Sequence, residues 1–157
     1  IRVIALICYK IWLASLKELL MKVILLLLLL FYPLTPRALD KELDCLVRNV
    51  YFESRGEPHK GKIAVALVTL NRVDHPKYPK SICQVVYQKN QFSWTKEYKS
   101  TKVNPVQWQE SKDAAMSAYM NRNVLGHFPA ISFHNLNVNP RWKMRFTTQI
   151  KNHKFYH

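Results

Sequence analysis

Tyr51-Phe52-Glu53-Ser54-Arg55-Gly56-Glu57-Pro58, followed by the apolar run Ile63 to Val73, is the stretch on which the fold turns. Counting back from Glu53, Val50, Leu46 and Leu43 recur at helical spacing, which predicts an amphipathic helix over Leu39 to Ser54. Glu53 then sits near its C-terminal end, at the edge of the buried face. Gly56 is expected to take a left-handed conformation and stop the helix, and Pro58 bars its continuation. A carboxyl group beside an apolar face loses hydration, which disfavours the charged form and raises its pKa. A group that donates a proton near neutral pH needs such a shift. The competing reading is a surface Glu53 paired with Arg55 or capping the turn. Glu57 is read as a helix-start charge or salt-bridge partner.

Working outward, Pro58 opens a second helix. Ile63, Ala64, Leu67, Val68 and Val73 are interrupted only by small or apolar residues, the mark of a central helix buried on most sides. Asn71 near its end is a buried amide that either orients Glu53 or substrate, or ties down a loop backbone. Asp74 to Lys80, with Pro76 and Pro79, reads as a loop. Ser81-Ile82-Cys83-Gln84 has the form of a capping box for a short helix through Tyr87. Gln91-Phe92-Ser93-Trp94 suits a strand or cleft wall, and Lys96 to Asn104 a surface loop. Pro105 opens a helix to about Arg122 with Trp108, Ser111, Ala115, Ala118 and Tyr119 on one side. Ile131 to Leu136 is strand-like, and Trp142 to Tyr156 reads as a terminal hairpin turning near Lys151-Asn152.

Several of these blocks together resemble the spore-cortex-lytic type of cell-wall hydrolase. They are Tyr51 to Pro58, Gly61 to Ala66, Leu70 to Val73, Ser81 to Tyr87, Gln91 to Trp94, Phe133-His134-Asn135 to Trp142, and His153 to Tyr156. The likeness runs from about Leu43 to Tyr156 with the blocks in family order. It implies cleavage of peptidoglycan glycan strands, with Glu53 as the catalytic acid. The implied fold is α+β and mainly helical, a lysozyme-like catalytic domain with a small antiparallel sheet or hairpins forming one wall of the cleft. Two departures stand out. Many relatives carry cysteines near Gln91 to Trp94, and this chain has none there. Relatives often have glycine at Lys151. A positive φ at this lysine would cost about 1 kcal/mol, unless Asn152 takes the left-handed position instead.

The length suits one domain. The formal net charge is +14; the five basic residues and Glu18 of residues 1–38 contribute +4, leaving +10 for the rest. Such a charge calls for an anionic partner: nucleic acid, membrane surface or cell-wall polymer. Met21-Lys22 followed by Val23-Ile24 and six leucines reads as a signal peptide over residues 21–38, cleaved after Ala38, with a retained anchor as the alternative. Lys17-Glu18 is encodable as AAG-GAG, a ribosome-binding sequence spaced by Leu19-Leu20 from a Met21 start, so residues 1–20 are expected to be an upstream reading-frame extension. Residues 39–157 form the catalytic domain. The expected product is an exported monomer of the periplasm, cell wall or extracellular space, with no stable membrane span after processing. With Cys8 set aside, Cys45 and Cys83 remain; they form either a disulfide or two buried thiols. No ligand spacing suggests a metal, and no cofactor is expected.

Glycoside hydrolysis normally uses two carboxylates. The acids of residues 39–157 are few, and Glu53 alone combines a core-edge position with a motif. One acid suffices if the substrate supplies the nucleophile, which favours a lytic transglycosylase over a hydrolytic muramidase or glucosaminidase. Tyr51, Asn71, Gln91, Phe92, Ser93, His134 and Asn135 are the candidate substrate contacts, with Trp94 as a further stacking face; each also has an ordinary structural role open to it. Three readings compete: a basic nucleic-acid-binding protein, against which the export signal argues; a cysteine amidase or peptidase using Cys45 or Cys83 with His134; and a non-enzymatic wall-binding protein.

Overall fold

The computed structural model describes residue 12 and residues 14–26, 36–96 and 102–157, with side chains from residue 41 onward in the second segment. Residues 27–35 of the expected signal segment lie outside the described residues, as do residues 97–101 of the expected loop. The chain divides into two units, residues 1–36 and 37–157. In the first, residues 14–26 are helical with exposed side chains. Among the described residues, no helix is long and apolar enough to cross a membrane.

α1 (Pro36–Ser54), which belongs to the second unit from Arg37 onward, buries Leu46 and Val50 on one line and Val47 and Tyr51 on the next, the spacing of a single helix face. Its end differs from expectation. Gly56 is not left-handed; the glycine with positive φ is Gly126. The helix closes instead through hydrogen bonds. Arg55 N donates to Tyr51 O at 3.0 Å and Glu57 N to Ser54 O at 2.9 Å, while Ser54 Oγ donates to Val50 O at 2.6 Å. Pro58, extended at φ −64° and ψ 163°, then caps α2 (His59–Asp74).

As its apolar run predicts, α2 is buried from Gly61 to Leu70 and forms the centre of the domain. Each aliphatic side chain taken from water there contributes about 1.5–3 kcal/mol. Small side chains on α4 (Pro105–Met120), namely Ser111, Ala114, Ala115 and Ala118, form the buried face of that helix. Asn104 caps it by accepting from Gln107 N at 3.1 Å.

The short helix α3 (Ile82–Val86) starts at Ser81, whose Oγ accepts from Gln84 N at 3.3 Å. Glu42 adds a second cap from α1, accepting from Ile82 N at 2.6 Å and Cys83 N at 3.1 Å. Cys45 and Cys83 form a disulfide, with S–S 2.07 Å and Cα–Cα 5.2 Å. This removes the two-thiol alternative and, with it, a cysteine nucleophile. The 91–94 stretch is not a strand: Gln91 lies in a turn and Ser93–Lys96 is a 3₁₀ turn.

The sheet is antiparallel, ordered β1-β3-β2, from β1 (Ser132–Asn135), β2 (Phe146–Ile150) and β3 (His153–Tyr156). Phe133 pairs with Phe155 and Ile150 with His153. Phe155 is fully buried against Ala64, Val65 and Val68 of α2. At the hairpin turn Lys151 itself takes the positive φ, 45°. Its ammonium donates to Gly56 O at 2.8 Å, linking the hairpin to the end of α1.

Candidate active site

Glu53 lies on the last turn of α1 and is half-buried. Loss of hydration lifts its carboxyl from the ordinary 4.5 to about 7, and the positive charge of Arg72 acts in the opposite direction. The other acids described between residues 41 and 157 are all engaged. Glu42, Asp44, Glu57, Asp74, Glu110 and Asp113 each accept a hydrogen bond. Glu53 accepts none from a described residue, and so keeps a desolvated carboxyl group with its proton uncommitted.

A buried polar chain fixes the rotation of α1 and hence the direction of Glu53. Trp94 Nε1 donates to Asn49 Oδ1 at 3.2 Å, Asn49 Nδ2 to Thr69 Oγ1 at 3.0 Å, and Thr69 Oγ1 to Val65 O at 3.3 Å. Phe52 stacks on Trp94 with ring centroids 4.7 Å apart. Such a network is costly to break, because each lost partner leaves a buried group unsatisfied.

Arg72 is the residue that sequence reasoning missed. It is buried near the end of α2, with Nε donating to Ile131 O at 2.7 Å. Its guanidinium lies over Tyr78 at 5.3 Å and Phe92 at 5.4 Å, and its Nη1 has no partner among the described residues. Burial pulls its pKa down, while Tyr78 and Glu53 push it up. Besides its membership of the Leu70 to Val73 block, its signal in the sequence was its place at the end of an otherwise buried run, where a charge is more often solvated.

The candidate contacts separate. Tyr51 is 1% exposed, and its hydroxyl accepts from Asn104 N at 3.0 Å, so it offers no face to a sugar. Phe92 and Trp94 are likewise buried, under Arg72 and Phe52. These three aromatics are core, which corrects the expectation of a stacking surface. Of the two roles open to Asn71, the backbone tie is present: Nδ2 donates to Phe128 O at 2.7 Å and Ala130 O at 2.9 Å. Gln91 and Ser93 are exposed beside Phe92. His134 uses both ring nitrogens, toward Asn135 O at 2.8 Å and Tyr156 Oη at 3.0 Å. Asn135 is exposed and accepts from Asn137 N at 3.1 Å. No hydrogen bond or ion pair among the described residues joins His134 or Asn135 to Glu53. Nor does any group of three or more His, Cys, Asp or Glu among them have a metal-binding arrangement.

A family profile described as cell wall hydrolase matches residues 56–156. The chain belongs to the cell wall hydrolase family. Glu53 lies just ahead of the matched span. The spore cortex-lytic enzyme of Bacillus subtilis strain 168 is 39% identical over 49 residues, 31% of this chain and 16% of that enzyme. The spore cortex-lytic enzyme of Bacillus cereus is 38% identical over 54 residues, 34% of this chain and 21% of that enzyme. This chain thus matches only a small part of the length of these curated relatives. Among solved structures, the catalytic domain of the germination-specific lytic transglycosylase SleB from Bacillus anthracis superposes with a TM-score of 0.63 at 26% identity. That superposition covers 74% of this chain and 93% of that domain. The SleB catalytic domain of Bacillus cereus gives 0.61 at 26% identity, covering 75% and 91%. This family member therefore has the expected lysozyme-like fold, mainly helical with a small three-stranded antiparallel sheet.

Proposed function

We propose that this chain cleaves the glycan strands of peptidoglycan between N-acetylmuramic acid and N-acetylglucosamine as a lytic transglycosylase, with Glu53 as general acid and then general base. The observation that carries this reading is the state of Glu53: half-buried, without a hydrogen-bond donor among the described residues, and with a carboxyl pKa of about 7. In the first half of the reaction the Glu53 carboxyl group gives its proton to the glycosidic oxygen. The C1–O bond breaks with its electron pair leaving on that oxygen. The muramyl 6-hydroxyl then bonds to C1, and its proton passes to the Glu53 carboxylate. The product is a 1,6-anhydro sugar, and Glu53 is again protonated. Arg72 supports the middle of this cycle, because its charge favours the carboxylate form that exists between the two proton transfers.

A second carboxylate is not required by this route, which fits the engagement of the other described acids. Gln91, Ser93, His134 and Asn135 remain the candidate sugar contacts. The proposal extends to export, with residues 21–38 as the signal and the catalytic domain acting in the wall as a monomer without a cofactor. Mass spectrometry of wall digests tests the chemistry. Anhydromuramic ends, lighter by one water than hydrolysed ends, are expected. Reducing muramic ends would replace the transglycosylase with a hydrolase.

A further inference from the structure

The expected stacking aromatics are buried, and a different set faces outward. Along β3, His153 and Phe155 point into the core while Lys154 and Tyr156 face away. His134 and Phe146 join that outer face through the register of the sheet. His134 stacks on Tyr156 with centroids 5.3 Å apart, and Phe146 meets Tyr156 at 5.8 Å. Trp142, from the loop between β1 and β2, stands edge-on to both His134 at 5.6 Å and Tyr156 at 5.9 Å. Trp142 is 44% and Phe146 52% exposed, so this ring cluster is open to solvent rather than sealed. Contiguous exposed rings of this kind mark an interaction surface more often than scattered single ones do.

The charge around it has one sign. Residues 114–157 contain six Lys or Arg and no Asp or Glu. Arg141, Lys143 and Arg145 flank Trp142 on the exposed loop, and Lys154 lies on the sheet face itself. None of the four forms an ion pair with a described acid.

We propose that the outer face of this sheet, with Trp142 and Phe146 at its centre and these four basic side chains around it, is a docking surface for an anionic glycan. The identity of that glycan rests on the proposed function: a peptidoglycan strand whose sugar faces lie on the rings and whose stem-peptide carboxylates meet the basic groups. Rings supply area at low entropic cost, and unpaired cations supply long-range attraction. A polyanion without apolar sugar faces would use only the second.

The test measures binding without turnover. Glu53→Gln protein is sedimented with purified peptidoglycan freed of other wall polymers, at about 0.15 M salt where exposed charges act over roughly 8 Å. The Trp142→Ala/Phe146→Ala variant in the same background should bind at least tenfold more weakly, with an unchanged melting temperature. Trp142→Tyr should keep most of the binding and guards against an unfolded double variant. Arg141→Gln/Lys143→Gln/Arg145→Gln should weaken binding and flatten its salt dependence. Inorganic polyphosphate, a polyanion with neither rings nor sugar faces, should bind the parent and the ring variant alike, through charge alone. Unchanged peptidoglycan binding by the folded ring variant would overturn the proposal. So would an equal loss on polyphosphate and peptidoglycan. Failure of the Glu53 mechanism would show in turnover assays and would leave these binding results standing.

Discussion

Glu53 and Glu57 lie four residues apart and are both removed from much of the solvent, yet their surroundings differ completely. Glu57 is 7% exposed and accepts from Asn152 Nδ2 at 3.0 Å and Asn152 N at 3.3 Å. Its own carbonyl accepts from Lys62 Nζ at 2.9 Å. These bonds pin the β2–β3 turn to the start of α2. Glu53, less covered, has no donor among the described residues and only the Coulombic pull of Arg72. Burial without hydrogen-bond donors raises the pKa of a carboxyl group, because nothing then replaces the water it lost. Glu57 ties two elements of the fold together, whereas Glu53 is left without a donor among the described residues.

The largest effect expected of this contrast is on turnover. Glu53→Gln keeps shape and size but removes the transferable proton, so clearing of peptidoglycan should fall by at least about 10²-fold, the usual contribution of a general acid or base. Its melting temperature should not fall, since the amide resembles the protonated acid. Full lytic activity in a well-folded Glu53→Gln protein would remove Glu53 as catalyst.

Glu57 should behave in the opposite way. Glu57→Gln turns one acceptor into a donor facing Asn152, and should cost about 1–3 kcal/mol of stability by leaving a buried group unpaired. Turnover per folded molecule should change only a few-fold. Thermal melts and rates normalised to folded protein would separate the two, and a hundredfold loss in this variant would erase the distinction. Gly61→Ala is a milder probe of the same joint. An added Cβ would lie 3.0 Å from Glu57 Cβ and 3.5 Å from Ile150 Cγ2, and overpacking of this kind costs about 1–3 kcal/mol. An unchanged melting temperature would show that the segment around Glu57 is free to give way at α2.

How much of this was legible follows the range of the interactions involved. Helices α1 to α4 could be read because caps and periodicity are local: Pro58 before α2, Ser81 before α3 and Pro105 at the start of α4 all stand where expected. At Gln91 to Trp94 the burial alternates as a strand's would, exposed then buried twice, but the backbone forms a turn and a 3₁₀ segment. Four residues are too few to tell the two periods apart. The placement of aromatics was not legible. Tyr51 and Phe92 are buried while Trp142 and Phe146 are not, and residue type carries no information about which side of a helix or sheet is covered. Arg72 was hidden for the same reason, since its anchor at Ile131 lies 59 residues away.

The smallest effect is a shift in pH dependence, and it bears most directly on the environment of Glu53. As general acid Glu53 must be protonated in the free enzyme, so kcat/KM should fall along an alkaline limb centred near 7. The same proton enters stability. The folded pKa lies above the ordinary 4.5, so the folded state holds the proton more tightly than the unfolded one. The resulting contribution to stability is fully present below 4.5 and is lost as pH rises through about 7. Glu53→Gln cannot ionise; its stability relative to the parent should therefore rise across that window and then level. Arg72 opposes the upward shift, so Arg72→Gln should move the alkaline limb to higher pH, while Arg72→Lys, which keeps the charge, should leave it nearer the parent's. Both variants lose the bond from Nε to Ile131 O, so a purely structural role for Arg72 would lower their melting temperatures without moving either limb. A limb that stays in place in folded Arg72→Gln protein would show that the guanidinium does not set the proton affinity of Glu53.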